Sequence, residues 1–230
     1  TRRGALNFSG VVIALLVVLV IVGVASNGTP ATHAAAAPTT SSTPSGDPTP
    51  TPSVAVAVAS AAGTLRQAHT PSALLVDITL TSGQCHAIPV DAAAGAYLPD
   101  PACTPGAVDP AVTEATIGAT ICVSGYTASV RPSTSLTSPA KRASLTDYGM
   151  TAGPTIEYDH LVPLELGGAS SVSNLWPEPN KAAAKGVNNP KDAIESALKR
   201  AVCNGTVQLA AAQAAIAKNW TTAESVLGIR

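Results

Sequence analysis

Three side chains in the second half of the chain could together perform acid–base chemistry beside a cation. Asp159 and His160 are adjacent in the string EYDHLVPLELGG, and Asn174 follows 14 residues after His160, at the start of NLWPEP. Carboxylate and carboxamide oxygens are ligands that hard divalent cations prefer. A neutral imidazole near pH 7 can accept a proton from water, and such a base needs an orienting partner. The pattern therefore predicts a site for one divalent cation.

A β-hairpin followed by a helix would bring these side chains together. The pair Gly167-Gly168 predicts a turn between two strands, with His160 at the surface of the hairpin. The next element is predicted to be an amphipathic helix with Pro190 in its first turn and Gly205 just past its end. Apolar residues recur at helical spacing within it, at Ile194, Ala197, Leu198, Ala201 and Val202.

Longer strings around these residues resemble a known family. The strings are DHL at 159–161, LELGG at 164–168, NLWPEP at 174–179, KD at 191–192 and VCNG at 202–205, with CTPGA at 103–107 and ICVSGYTASVRP at 121–132 upstream. They resemble the HNH endonucleases, which share a ββα-metal hairpin–helix core, and in particular a group of small exported bacterial HNH-like proteins. The resemblance covers roughly residues 97–220.

The resemblance implies a role for each residue of the site. Asp159 would coordinate the metal, His160 would be the general base that takes a proton from the attacking water, and Asn174 would orient that base. The third HNH position, a further metal ligand, falls near Asn189. The implied cofactor is a divalent metal, Mg²⁺ in the first place, with Mn²⁺ or Zn²⁺ as alternatives.

The implied function is hydrolysis of phosphodiester bonds by a metal-dependent endonuclease outside the cytoplasmic membrane. Nucleic acid would be the partner, DNA rather than RNA. The alternative is a catalytically inactive HNH-like protein, exported and acting as a binding or envelope protein. Cleavage that depends on His160 would separate the two.

Ordinary structural roles compete with each assignment. An Asp-His pair on a strand is commonly a structural hydrogen-bonding pair, and Asn174 could be a turn residue before a strand. Asn189 precedes Pro190 and is well placed to cap the helix. A side chain that caps its own helix is less free to bind a metal, and Asn188 is then the nearest substitute.

The charge distribution gives partial support to a nucleic-acid partner. The 230 residues carry a net charge of −1, which excludes a globally basic nucleic-acid binder and a highly charged disordered protein. Residues 71–230 alone carry −3, whereas residues 179–230 carry +4. Lys181, Lys185 and Lys191 in that stretch are the candidates for phosphate contacts. Ordinary solvated lysines are the alternative.

The beginning of the chain predicts export. Arg2 and Arg3 precede an uncharged apolar run over residues 10–25, whose length lies between a signal peptide and a membrane-spanning anchor. We assign residues 1–28 to a signal peptide or membrane anchor, either cleaved or retained, through which the protein would contact the membrane. Residues 29–72, rich in Ala, Pro, Thr and Ser, are assigned to a disordered linker. The protein is expected to be extracytoplasmic, anchored or secreted.

Residues 73–230 are assigned to the HNH nuclease-like domain, with its core motif at 157–203. The predicted class is α+β, with a strand-rich, Pro-rich N-terminal half and C-terminal helices. Alternation at Val76, Ile78 and Leu80 predicts one strand, and residues 117–123 predict another. A short helix is expected to start at Ser138-Pro139 and to end at Tyr148-Gly149, and a last helix is expected over residues 209–220.

The four cysteines predict disulfide bonds. They show no CxxC pair, which argues against a four-thiolate zinc knuckle and a thioredoxin-type site. In an exported domain they predict two disulfides in one of three pairings, and four buried free thiols are the alternative. Their positions are Cys85, Cys103, Cys122 and Cys203.

Overall fold

Residues 64–229 are described by the computed structural model of the protein, and they combine short strands with helices. This content agrees with the α+β class. The strands are β1 (Arg66–Gln67), β2 (Ile88–Asp91), β3 (Ala96–Leu98), β4 (Ala107–Val108), β5 (Ile156–His160) and β6 (Leu175–Pro179). The α-helices are α1 (Tyr126–Val130), α2 (Thr134–Asp147), α3 (Lys191–Cys203), α4 (Leu209–Asn219) and α5 (Ala223–Leu227). The predicted export segment and most of the predicted linker lie outside the described residues.

Strands β5 and β6 form an antiparallel hairpin that carries Asp159 and His160. Asp159 lies opposite Trp176, and His160 lies opposite Leu175. Because successive side chains of a strand point to opposite faces, Asp159 and His160 leave β5 on opposite sides. Helix α3 follows the hairpin, so the predicted order of two strands and a helix is present. That this unit is an HNH metal core stays a prediction.

The glycine pair in the connection between β5 and β6 has a steric reason. Gly167 has a φ of +73°, a conformation that glycine adopts readily. A Cβ atom on Gly168 would lie 1.7 Å from the carbonyl oxygen of Val162, so only glycine fits there. The two glycines therefore fold the connection back against the end of β5.

The main core lies around the C-terminal helices. Its most buried members come from α3 and α4, among them Leu198 and Ile216, and from earlier segments of the chain, namely Ile121, Val162 and Leu166. The predicted helices over this region are confirmed, with α3 starting directly after Pro190. Burial of these apolar faces is the principal source of the helices' stability.

Two disulfides are present, as predicted, and the structure supplies their pairing. Cys85 bonds to Cys103, and the pair packs in a second core cluster with Tyr148 and Trp176. Cys122 bonds to Cys203 at the end of α3. No free cysteine remains in the described part of the chain. Disulfides of this kind agree with an oxidising, extracytoplasmic environment.

The strand predicted from Val76, Ile78 and Leu80 is wrong. Val76 is 70% exposed, while the carboxylate of Asp77 accepts hydrogen bonds from the backbone N–H and the hydroxyl of Ser173 at 3.0 and 2.5 Å. The polar residue thus turns inward and the apolar one outward, the reverse of what a half-buried strand requires. Only an isolated bridge between Leu75 and Ser171 forms near this segment.

Other boundaries also differ from the predictions. Residues 117–123 contain a 3₁₀ turn at Ile117–Ala119 in place of a strand. Helix α2 begins at Thr134 and includes Pro139 in its interior. The folded region starts before residue 73, because β1 pairs in parallel with β4. Among residues 64–229 no helix is both long enough and apolar enough to cross a membrane.

Candidate functional site

His160 is enclosed at the end of β5. The residue is only 6% exposed, and Nε2 of its imidazole lies 3.0 Å from the hydroxyl oxygen of Ser170. Burial lowers the pKa of His160 to about 4. The imidazole is therefore neutral at pH 7, as a general base must be, but it is less accessible than a residue on a hairpin surface.

Asn174 holds the connection between the two strands. Its side-chain oxygen accepts a hydrogen bond from the N–H of Val162 at 2.9 Å. Its amide nitrogen donates to the carbonyl oxygens of Val162 and Ala169, both at 2.9 Å. The carboxamide is thus used by the backbone and forms no hydrogen bond with the His160 ring. The predicted orienting of His160 by Asn174 is not what the geometry shows; Ser170 makes that contact.

Asn189 caps the start of α3. Its Oδ1 accepts a hydrogen bond from the N–H of Lys191 at 2.8 Å, and the Asp192 carboxylate accepts one from the N–H of Asn189 at 3.1 Å. Together these two bonds tie Asn189 to the first turn of α3, as a helix cap does. The alternative structural role of Asn189 is therefore the one that the structure shows.

The carboxylate of Asp159 is bound by a buried ammonium. Lys191 Nζ donates to Asp159 Oδ2 at 2.6 Å and to the carbonyl oxygen of His160 at 2.7 Å. It also makes a very short contact with Oε1 of Glu195, one turn along α3. Lys191 is 1% exposed. The predicted contact of Lys191 with nucleic acid is incompatible with this burial.

The positive charge of Lys191 and the negative charges of its carboxylate partners stabilise one another. Burial opposes ionisation of Lys191, but the carboxylates of Asp159 and Glu195 outweigh it and raise the pKa of Lys191 above its ordinary value. Burial likewise opposes ionisation of Asp159, and Lys191 holds the pKa of that carboxyl below its ordinary range. The result is an ion pair that stays formed at neutral pH.

Glu178 is a further buried carboxyl group beside this cluster. It is 1% exposed, and neither carboxyl oxygen has a hydrogen-bond partner within the described residues. Burial and the nearby Asp159 carboxylate raise the pKa of Glu178 well above its ordinary value, although Lys191 acts in the opposite direction. The surroundings of Glu178 therefore favour the protonated form of its carboxyl group.

These residues do not fit a divalent metal as the structure arranges them. Asp159 is already bound by an ammonium, and the oxygen of Asn189 is used by the helix backbone. Between residues 64 and 229, no three His, Cys, Asp or Glu side chains are grouped to hold a metal ion. A cation at Asp159 would have to displace Lys191. The predicted Mg²⁺ site thus finds no support in this geometry.

An acidic cleft of about 250 Å³ opens beside Asp159. Glu157 lines this cleft, and burial and the carboxylates of Asp159 and Asp192 raise its pKa to about 7. The charged side chains that line the cleft are five carboxylates and one cation: Glu157, Asp159, Glu165, Asp192, Glu195 and Arg131. Asn188 also lines this cleft. An excess of carboxylates repels phosphate, so the cleft alone is a poor site for nucleic acid.

A second cavity, of about 230 Å³, lies between α2 and β5. His160 and Tyr158 line it from β5, and Lys141 lines it from α2. Arg131 belongs to the lining of both cavities. The remaining predicted phosphate contacts, Lys181 and Lys185, are exposed in the connection before α3.

Sequence reasoning missed Arg131, Ser170, Glu178 and the structural role of Lys191. The spacing of Lys191 and Glu195 is a readable signal, because residues four apart on a helix face each other. Arg131 stands in the string ICVSGYTASVRP, which the resemblance includes. Nothing local indicates that Ser170 would reach His160.

The chain was also compared with known proteins. No family model, no curated protein and no solved structure matches it.

Proposed function

We propose that this chain is an HNH-like domain that binds nucleic acid outside the cytoplasmic membrane without cleaving it. The observation that carries the proposal is the ammonium of Lys191 on the carboxylate of Asp159. In the HNH-like arrangement that carboxylate would hold the metal. Here an internal cation neutralises it, so the domain keeps the hairpin and helix without the metal.

The other candidate residues support the same proposal. Asn174 and Asn189 have their side-chain oxygens bonded to backbone N–H groups of the fold. The exposed Lys181 and Lys185 and the cationic wall at Arg131 provide positive charge for phosphate groups. DNA is the expected form of the nucleic acid.

A nuclease is the second candidate, and the position of His160 favours it. The neutral imidazole lines a cavity that also contains Arg131. A water molecule there could give its proton to His160 as its oxygen bonds to phosphorus, while the guanidinium binds the phosphate. The P–O bond to one sugar oxygen would break, and that oxygen would leave with a proton from solvent.

Incubation of the full chain with plasmid DNA and with RNA, each with Mg²⁺, Mn²⁺, Zn²⁺ or chelator, separates the candidates. We expect no cleavage above that of His160→Ala, and we expect oligonucleotide binding, followed by fluorescence anisotropy, to persist in chelator and to weaken with salt. Cleavage that is lost in a folded His160→Ala variant would replace this proposal by the nuclease. Absence of oligonucleotide binding would refute it.

A truncated chain beginning at residue 71 is unsuitable for these assays. Such a chain lacks β1, which pairs with β4, and it lacks the hydroxyl of Thr70, which accepts a hydrogen bond from the N–H of Ser170 at 2.7 Å. Ser170 in turn contacts His160. The full chain keeps this support.

A further inference from the structure

A third cavity, of about 240 Å³, is lined by α2 and by the segment 76–80, for which the sequence predicts a strand. Its walls are mostly apolar. Val76, Ile78 and Leu80 line it from the segment, and Ala140 and Ala143 line it from α2. None of the residues that line the acidic cleft reaches this cavity. It is therefore a separate site with a different chemistry.

The cavity gives the alternating residues of the segment a role. Val76, Ile78 and Leu80 do not cover a core as members of a strand, and Val76 is 70% exposed. All three line the cavity instead. Apolar surface gains free energy when a ligand removes it from water. The alternation is thus explained by a ligand site at the surface of the domain.

One polar group of the cavity has no hydrogen-bond partner. The hydroxyl of Tyr158, which lines the cavity from β5, is buried and bonds to no atom of residues 64–229. A buried hydroxyl of this kind costs free energy until an acceptor reaches it. Burial, followed by the carboxylate of Asp147, raises the pKa of Tyr158. The hydroxyl therefore keeps its proton at neutral pH and remains a donor.

Asp147 supplies an unused acceptor in the same cavity. It is the last residue of α2, and its carboxylate makes no hydrogen bond or ion pair within the described part of the chain. It lies close enough to Tyr158 to act on the pKa of that residue, but the two side chains are not hydrogen-bonded. A donor and an acceptor therefore stand near each other without a group that joins them.

The chemistry of this pair selects a hydroxyl group. A hydroxyl accepts one hydrogen bond and donates another, so it can accept from Tyr158 and donate to Asp147 at once. An ammonium has donors only and would leave the proton of Tyr158 without an acceptor. A carboxylate or phosphate would be repelled by Asp147. A single water molecule can join the two groups, but it leaves the apolar walls uncovered.

The volume of the cavity limits the size of the ligand. A cavity of about 150 Å³ with apolar walls holds one benzene molecule. In proportion, a cavity of about 240 Å³ holds a ligand of about nine or ten non-hydrogen atoms. That is one aromatic ring or short aliphatic chain with a small polar end.

We propose that the cavity between residues 76–80 and α2 binds a small neutral alcohol or phenol. The ligand hydroxyl accepts a hydrogen bond from Tyr158 and donates one to Asp147, while its apolar body covers Val76, Ile78 and Ala143. This inference is independent of the proposed function, because no nucleic acid takes part in it.

Three ligands with the same number of non-hydrogen atoms test the site: phenethyl alcohol, phenethylamine and propylbenzene. Titration calorimetry with the full chain should show the alcohol binding about tenfold more tightly than the hydrocarbon, the effect of its two hydrogen bonds. The amine should bind more weakly than the alcohol. Equal affinities for alcohol and hydrocarbon, tighter binding of the amine, or no binding of any of the three would each overturn the proposal.

Tyr158→Phe tests the hydroxyl. The preference for phenethyl alcohol over propylbenzene should fall to within about twofold, while the melting temperature without ligand stays unchanged or rises because an unpartnered buried hydroxyl is gone. Tyr126→Phe is the matched control, since Tyr126 does not line the cavity, and it should keep the tenfold preference of about one order. A preference that survives in Tyr158→Phe would overturn the role of Tyr158.

Ala143→Leu tests the place of binding. The larger side chain occupies part of the cavity, so binding of phenethyl alcohol should be lost. Ala211→Leu, at an exposed position of α4 outside the cavity, should bind the alcohol like wild type. Wild-type affinity in a folded Ala143→Leu variant would show that the alcohol binds elsewhere and would overturn the site.

Discussion

The ammonium of Lys191 lies 2.6 Å from Oδ2 of Asp159, although 32 residues separate the two in the chain. This contact joins the first residue of α3 to the hairpin, and Glu195 adds a second carboxylate from the next turn. It fixes the helix against the strand at the point where an HNH-like protein would hold its metal. In the HNH-like domain proposed above, this internal cation would stand in the place of the metal.

Replacing Lys191 by Met should destabilise the domain strongly. The substitution keeps the length of the side chain but leaves Asp159 and Glu195 enclosed without a countercharge, and breaking a buried pair in this way costs about 3–5 kcal/mol. Urea denaturation measures the loss. Lys199→Met is the control, since Lys199 is 32% exposed and lies 3.9 Å from Glu165. Equal losses in the two variants would contradict the importance of the Asp159 pair.

Divalent metal should stabilise a variant and not the wild type. Lys191→Ala removes the ammonium and leaves the oxygens of Asp159, Glu195 and the His160 carbonyl facing the vacated space. Such oxygens suit Mg²⁺ or Mn²⁺. We expect the melting temperature of Lys191→Ala to rise with added metal, since ligands of the folded state stabilise it. A comparable rise in wild type would show that metal binds despite Lys191.

Asn189 should behave as a helix cap. Asn189→Ala should lose about 0.5–2 kcal/mol of stability, whereas Asn189→Asp should stay close to wild type, because Asp caps as well as Asn and its charge suits a helix N-terminus. Thermal melting without metal gives both values. Asn188→Ala is the neighbouring control and should have little effect. If Asn189→Ala melts like wild type, the cap assignment is wrong.

Alkaline pH should weaken the domain through Tyr148. Burial raises its pKa to about 12, even though a hydrogen bond with the Thr104 hydroxyl opposes that shift. The unfolded chain releases this proton near pH 10, so the stabilising contribution is complete below about pH 10 and is lost as pH rises towards 12.

Tyr148→Phe isolates this contribution. The variant should be less stable than wild type near neutral pH, because the Thr104 hydroxyl loses its hydrogen-bond partner at 2.7 Å. Urea denaturation at about pH 9 and at about pH 11 measures the free energy of unfolding of both proteins. The difference between wild type and variant should be smaller at about pH 11, because the buried Tyr148 then opposes folding of the wild type. A difference that stays constant over this range would mean that Tyr148 does not carry the effect.

The two disulfides should differ in their effect on stability. The Cys122–Cys203 bond closes a separation of 81 residues and the Cys85–Cys103 bond one of 18. If a disulfide stabilises by restricting the unfolded chain, removing Cys122–Cys203 costs about 1.3 kcal/mol more folding free energy than removing Cys85–Cys103. Chemical denaturation of the two double Cys→Ala variants compares them. Thiol titration of the denatured, unreduced wild type should find no free thiol, and four reactive thiols would refute both bonds.

The C-terminal part of the fold could be predicted because its signals are local. The apolar spacing in α3, with Pro190 before it and Gly205 after it, needs no knowledge of distant residues. The strand expected at Val76 failed because the side chain of Asp77 turns inward to Ser173, 96 residues away. Alternation in the sequence cannot reveal such a partner.

The difference between local and long-range signals also explains which parts of the site could be predicted. Asp159, His160 and Asn174 were found because they stand in recognisable strings, but their partners are tertiary. Ser170 reaches His160, and Lys191 reaches Asp159, only once the hairpin and α3 have packed. The sequence also assigned Lys191 to the surface, since lysine is rarely buried unless it is paired. Lys191 is buried because its ammonium is paired with Asp159 and Glu195.

Each disulfide joins a cysteine to the next cysteine along the chain. When the chain enters an oxidising compartment with its N-terminus first, every native partner is also the next thiol to arrive. An oxidase that links thiols in order of arrival therefore produces the native bonds directly, and no isomerase has to reshuffle them. Cys122 must wait while 81 further residues emerge, roughly 4–16 s at ordinary rates of synthesis. For a chain exported during its synthesis, these pairings would therefore need an oxidant and time but no reshuffling.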